Sequence, residues 1–263
     1  MSIKSKALAF AAAATIVAGI GTAGTLSAGA ATPSCGSNCV DLFSRDFGTH
    51  KTPGFALDVL RQASKVGQPV ILFKTSNSDP AEDFSVSFQG LVSDLYTLGF
   101  VSPAVVLHYG CGWQITTSTC SSTINPITAL RFPDDWAFEV QYTPFGVDSG
   151  LCVGVGSIPV AGTRVALEPC GLSSKTFWVV DQADSSRGRL TPVLNEYVPL
   201  INASETNISQ PLVLTYPKSG YPTDKPRPQL TVQNLTGFTN PSTGDPQGVD
   251  SDQLWGADLG TLK

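Results

Sequence analysis

The sequence predicts an all-β protein assembled from repeated units, and three observations predict it. Apolar residues recur with a period of two in short runs such as PVILF, FSVSF, WAFEVQY, RVALE, FWVV, PLVLTY and QLTVQ. Clusters of Gly, Pro, Asn, Asp and Ser separate the runs, the pattern of many short strands joined by tight turns. Two stretches, FALDVLRQASKVGQPVILFKTS at 55–76 and GLCVGVGSIPVAGTRVALEPCG at 150–171, share one shape: strand, glycine break, strand. Helical character is confined to a turn in ALDVLRQASK, which Gly67 and Pro69 cut short.

The first thirty residues stand apart from this pattern. Lys4 and Lys6 precede the apolar run ALAFAAAATIVAGIG, and Ala28-Gly29-Ala30 supplies small residues of the kind found at a signal cleavage site. The run tapers into Thr and Ser with no basic stop-transfer cluster, which favours a cleaved secretory signal over a membrane anchor. Residues 1–30 are therefore expected to be a signal peptide, and 31–263 one secreted, extracellular all-β domain, expected to be monomeric.

Within that domain the segments can be laid on one another. First strands begin near 56 (ALDV), 104 (AVVLHY), 152 (CVGV) and 199 (PLIN), at intervals of 48, 48 and 47. Second strands follow as PVILF, ITALRF, RVALE and PLVLTY. Third strands carry an apolar residue and a valine two further on: Phe84, Phe138, Trp178 and Leu230 are expected to be equivalent and buried. Glycine turns close each unit at GLVSD, GVDSG, GRLTP and GVDSD, and the last segment reads as a returning strand that closes the structure. A period of this length predicts a closed architecture of repeated four-stranded units, β-trefoil-like, or else a small propeller-like or barrel arrangement of four units. The stretch 216–248 reads as long ordered loops around one strand.

Glycine-framed CVGV, then VALEPCG, then TFWVV at 150–190 resembles one repeat of the ricin-type β-trefoil lectins, whose units run Cys-Leu-Asp-Val, Gly, an apolar strand ending near Cys, and Gln-x-Trp. Residues 55–95 resemble it too. The resemblance implies carbohydrate binding, with an acid in the first strand and an aromatic at the end of the second. Asp58 and Phe73 match those places, Asn202 and Tyr216 match them with an amide for the acid, and Gly154 stands where the 152 unit would need its aspartate. The literal Gln253-Leu254-Trp255 lies at the closing strand rather than in a third strand. The chemistry suits a sugar, because a carboxylate accepts hydroxyl hydrogen bonds while a ring face covers the apolar C–H patch of a pyranose.

Charge and cysteine usage limit the other classes. Without Lys4 and Lys6 the basic count falls from 16 to 14 against 21 acidic residues, a net charge of −7. Nucleic acid and anionic membrane surfaces require a concentrated positive face, so neither is an expected partner, whereas a glycan or cell-surface polysaccharide is. Six cysteines suggest disulfides in three local pairs: Cys35 with Cys39, Cys111 with Cys120, Cys152 with Cys170. Only His50 and His108 could join them as metal ligands, so no metal is expected. GVGS at 154–157 lacks a following helix, so no nucleotide or other cofactor is expected either.

No GxSxG or HExxH motif occurs, and Asp134-Asp135 reads as a turn entering the strand at Trp136, so no catalytic residue is assigned. Asn202, Asn207 and Asn234 open glycosylation acceptor triplets. The favoured function is therefore a non-enzymatic, secreted carbohydrate- or cell-surface-binding protein. The alternatives are an exported hydrolase using a carboxylate pair and a structural or inhibitory protein that presents loops.

Overall fold

A computed structural model describes residues 40–45, 55–75, 79–106, 109, 135–171, 173–181, 197–217, 227–239 and 246–259. The expected signal peptide, Cys35, Cys39, Cys111, Cys120, His50, His108, Asp134 and the ITALRF run lie outside these residues.

The strands group into three sets of four. The first set is β1 (Val40–Ser44), β2 (Phe55–Val59), β3 (Val70–Lys74) and β4 (Phe84–Leu91). The second is β5 (Trp136–Tyr142), β6 (Leu151–Val155), β7 (Val165–Pro169) and β8 (Phe177–Val180). The third is β9 (Leu200–Asn202), β10 (Leu212–Thr215), β11 (Thr231–Asn234) and β14 (Trp255–Leu259), with a two-residue ladder, β12 (Phe238–Thr239) and β13 (Pro246–Gln247), between its last two strands.

The outer strands of each set join into a ring. β4 pairs with β5, β5 with β8, β8 with β9, and β14 with β1, all antiparallel. Val198, just ahead of β9, bridges to Trp255, and β1 packs beside β4. The inner strands form three hairpins, β2–β3, β6–β7 and β10–β11. These meet in a triangle, where Pro69 bridges to Ala166, Arg164 to Thr231 and Gln229 to Ile71. Each hairpin thus offers one residue to the next hairpin and accepts one from the previous. A six-stranded barrel capped by three hairpins with this cyclic pairing is a β-trefoil.

Strand register makes the internal symmetry residue-specific. Asp58 faces Ile71, Gly154 faces Ala166 and Thr215 faces Thr231, so Asp58, Gly154 and Thr215 correspond. The core is built in matching triplets, all buried in one cluster: Leu57, Val153 and Leu214; Val70, Val165 and Leu230; Leu72, Leu167 and Val232; Phe84, Trp178 and Trp255. Burying each such side chain contributes about 1.5–3 kcal/mol relative to exposure. The indole N–H of Trp178 donates to the Val153 carbonyl at 2.9 Å, and that of Trp255 donates to the Leu214 carbonyl at 2.8 Å. Phe84 fills the same place in the first set without a polar atom.

Several expectations are corrected here. The described residues form three units, not four. The AVVLHY segment is not a first strand: Pro103–Val105 form a short helical turn, α2, with Ser102 Oγ accepting from the Val105 N–H at 3.2 Å. A longer helix, α1 (Val92–Thr97), occupies what reads as a glycine turn in the sequence. Both belong to the connection between β4 and β5, and they pack on the barrel through Val92, Leu95, Val101 and Val105. That connection separates the first two units, so the even spacing of the matched segments does not reflect the true repeat.

The PLIN segment is the first barrel strand of its unit rather than a hairpin strand, so the third unit is shifted by one strand. Phe138 and Leu230 are buried as expected but are not equivalent to Phe84 and Trp178. Phe138 sits in a first strand, facing Trp178, and Leu230 enters the hairpin strand β11. The third true equivalent is Trp255, so the literal Gln253-Leu254-Trp255 stands in the place the resemblance requires. The short 3-10 turn expected after ALDV is present at Leu60–Gln62, and the closing strand pairs with β1 as expected.

Candidate functional site

Alternation along β2 and β3 gives the first hairpin two chemically distinct faces. Leu57, Val59, Val70 and Leu72 enter the core, while Ala56, Asp58, Ile71 and Phe73 share the opposite face. Ala56 lies opposite Phe73 and Asp58 opposite Ile71, which makes Asp58 and Phe73 diagonal neighbours, about 7–8 Å apart by sheet geometry. Phe73 is 37 % exposed and Asp58 only 4 %. The predicted acid and aromatic are therefore brought together, one enclosed and one open.

Asp58 is covered by the segment from Asp79 to Asp83. Asp79 caps the 3-10 turn Pro80–Glu82, its Oδ1 accepting from the Ala81 N–H at 3.0 Å and from Gln62 Nε2 at 2.7 Å. Burial and the neighbouring Asp79 charge push the Asp58 carboxyl up to about 7. No hydrogen bond to the Asp58 carboxyl forms among the described residues. The Tyr142 side chain is fully buried in the same region, and its hydroxyl has no hydrogen-bond partner among the described residues. Its phenol is held well above the usual range by burial, then by Asp58, Asp83 and Asp79. Among the described residues a buried carboxyl and a buried hydroxyl thus both lack partners at one place, which costs free energy unless something else supplies them.

A cation borders the open side. The Arg227 guanidinium lies 5.3 Å from the Phe73 ring centroid and 6.0 Å from that of Phe55, within cation–π range. It ties the chain entering the third hairpin to the edge of the first.

The corresponding places in the other units are closed. At Gly154 an added Cβ would lie 2.8 Å from Thr176 Cγ2 and 2.9 Å from the Lys175 carbonyl oxygen. The turn Ser174–Thr176 therefore fills the space an acid would need. In the third unit Thr215 is buried and turns its hydroxyl back to the Val213 carbonyl at 2.9 Å.

Asn202 and Tyr216, expected to form a second site, are both fully buried. Asn202 Nδ2 donates to the Lys175 carbonyl at 3.1 Å, and its Oδ1 accepts from the Ser204 N–H and hydroxyl. Tyr216 packs edge-on against Trp255, with 6.3 Å between ring centroids. Neither side chain is open to a ligand, because PLIN and PLVLTY occupy the barrel and the first hairpin strand rather than the two strands of one hairpin. Burial also removes Asn202 from the glycosylation acceptors.

The residues that support the hairpins carry no signal in the strand alternation. Glu82, Thr176 and Gln253 occupy corresponding positions two residues before Phe84, Trp178 and Trp255. Gln253 accepts from the Thr236 N–H at 2.8 Å and donates to the Asn234 carbonyl at 2.8 Å, fastening the last turn to β11. Glu139, buried at 2 % exposure, accepts from Ser87 Oγ, the Gly171 N–H and Thr176 Oγ1. Among the described residues Glu139, Cys152 and Cys170 are close enough to hold a metal, but both sulfurs are joined in the Cys152–Cys170 disulfide. Asp135 is structural: its N–H donates to the Tyr109 carbonyl and its carbonyl accepts from the Val92 N–H, each at 2.8 Å.

No known protein family and no curated protein matches this sequence. Among solved structures the chain is similar to ThreeFoil, a designed three-fold symmetric protein, with 11% identity over 84% of this chain and 97% of that one, and a TM-score of 0.45. It is also similar to a mosquitocidal holotoxin, with 9% identity over 84% of this chain and 17% of that one, TM-score 0.45. A ricin B-like lectin of Macrolepiota procera in complex with lactose shares 12% identity over 84% of this chain and 95% of that one, TM-score 0.38. The assignment of the β-trefoil rests on the cyclic strand pairing of this chain.

Proposed function

We propose that this is a secreted, non-enzymatic carbohydrate-binding protein whose sugar site is the outward face of the β2–β3 hairpin. The observation that carries this reading is the pairing of the open Phe73 ring with the buried, unbonded Asp58 carboxyl. A pyranose laid on the ring would direct hydroxyls at a carboxylate that has no donor among the described residues. A hydrogen bond to an ionised acceptor is roughly twice as strong as a neutral one. One such pair with ring stacking supports binding at about millimolar to high micromolar strength for a monosaccharide.

Binding is preferred to hydrolysis because Asp79, the carboxylate whose charge acts on Asp58, is engaged as the cap of the Pro80–Glu82 turn and by Gln62, so the two do not form the free acid–base pair that glycoside hydrolysis uses. A glycan of a cell surface or an extracellular polysaccharide is the expected partner. The test is a glycan array with the full chain and its Asp58→Ala variant. Binding lost in Asp58→Ala, with the melting temperature not lowered, is the expected result. Binding that survives both Asp58→Ala and Phe73→Ala would place the ligand elsewhere.

A further inference from the structure

Among the described residues only three that are not glycine adopt the left-handed backbone region: Arg61 (φ 61°), Gln62 (φ 55°) and Phe145 (φ 56°). They come from two different units, yet all flank the segment that covers Asp58. The turn Leu60–Gln62 packs against the turn Pro80–Glu82, and Gln62 reaches Asp79 directly. The turn Pro144–Gly146 packs against the same residues.

Phe145 is the least expected of the three. Its ring is 73 % exposed, so no burial offsets the strained backbone, and Val147 beside it is 65 % exposed. The conformation is held from below by Asp83, itself 3 % exposed, whose Oδ2 accepts from the Phe145 N–H at 2.9 Å. Asp83 also receives the Thr143 N–H at its carbonyl, at 2.8 Å. Strain of this kind persists where the surroundings over-determine it, and such places cluster at ligand sites. The Tyr142 hydroxyl, buried and without a hydrogen-bond partner among the described residues, has Asp58, Asp83 and Asp79 as its charged neighbours.

We infer that Phe145 is a second stacking platform, contributed by the second unit to the site of the first, and that the ligand is an oligosaccharide long enough to cover both rings. The inference rests on the sugar site proposed above. One residue of the glycan stacks on Phe73 over Asp58, and a later residue of the same chain stacks on Phe145 across the Asp79–Asp83 segment. Arg61 and Gln62 border the path on the hairpin side. A monosaccharide engages the first ring alone.

The test uses the full chain on an array carrying matched mono-, di-, tri- and tetrasaccharides of the cellulose, xylan, galactan and chitin series. For the series that binds, affinity is expected to rise from mono- to tetrasaccharide by about tenfold or more, as an added stacking contact would give. Phe145→Asn, which keeps a residue tolerant of this backbone, is expected to erase that rise while leaving the monosaccharide signal and the melting temperature intact. Phe145→Tyr is expected to restore it. A bound monosaccharide with no gain for longer chains, or a gain unchanged in Phe145→Asn, overturns this inference and leaves the Asp58 site standing. A blank array overturns the sugar reading itself.

Discussion

Asp58 carries an acid into a place that disfavours its charge, and the consequence can be read from pH. Its pKa of about 7 lies above the ordinary carboxyl value of 3.8, so the folded protein holds this proton more tightly than the unfolded chain does. The stabilising contribution of the protonated group is complete below about pH 4 and is lost as pH rises through 7. Asp79, Asp83 and Tyr142 face the same space, so the clean quantity is the difference between wild type and Asp58→Asn. The substitution should raise the melting temperature more at pH 8 than at pH 5; a pH-independent difference contradicts the buried, unbonded carboxyl. A sugar that donates hydroxyl hydrogen bonds favours the ionised form, so its affinity should grow across the same interval. The acid and the aromatic were legible as residue types in FALDV and PVILF, whereas the orphaned Tyr142 hydroxyl and the strained Phe145 arise from folding and leave no mark in the alternation of residues.

At the scale of elements, each hairpin is a unit of two inward and two outward rows, and the second is additionally stapled. Cys152 and Cys170 are bonded with a Cα–Cα separation of 5.0 Å across 18 residues, joining β6 to the end of β7. In the chain-entropy model closing a loop of this length contributes about 3 kcal/mol. The double variant Cys152→Ser with Cys170→Ser should lose about that much in denaturant titration and keep glycan binding, because the site lies on another hairpin. Loss of binding at equal foldedness would tie the site to the second unit.

The hairpins of the first two units were readable because a glycine with positive φ, Gly67 or Gly162, precedes each second strand. Barrel strands and hairpin strands share the same period of two, so PLIN at three strand residues could not be told from a hairpin strand by pattern. The helix at Val92–Thr97 was hidden by its brevity and by the glycine ahead of it. The turn at Pro103 did carry a signal, a serine cap followed by proline at the first helical position, and that signal outranks the alternation in AVVLHY.

The whole molecule is a three-fold architecture in which the core stays symmetric and the surface does not. Leucines, valines and large aromatics recur in triplets because the cyclic pairing of strands presents the same volume three times. The outward hairpin faces have diverged: the first keeps Asp58 with Phe73, the second replaces the acid with a glycine pressed against the Lys175 carbonyl, and the third offers a threonine bonded to its own strand. The proposed sugar site therefore occurs once per molecule. Isothermal titration of the purified protein with the strongest glycan from the array measures this directly. A stoichiometry of about one is expected, with binding abolished in Asp58→Asn, because a binding face needs unpaired polar groups. A stoichiometry near three, or one site that persists in Asp58→Asn, would contradict it.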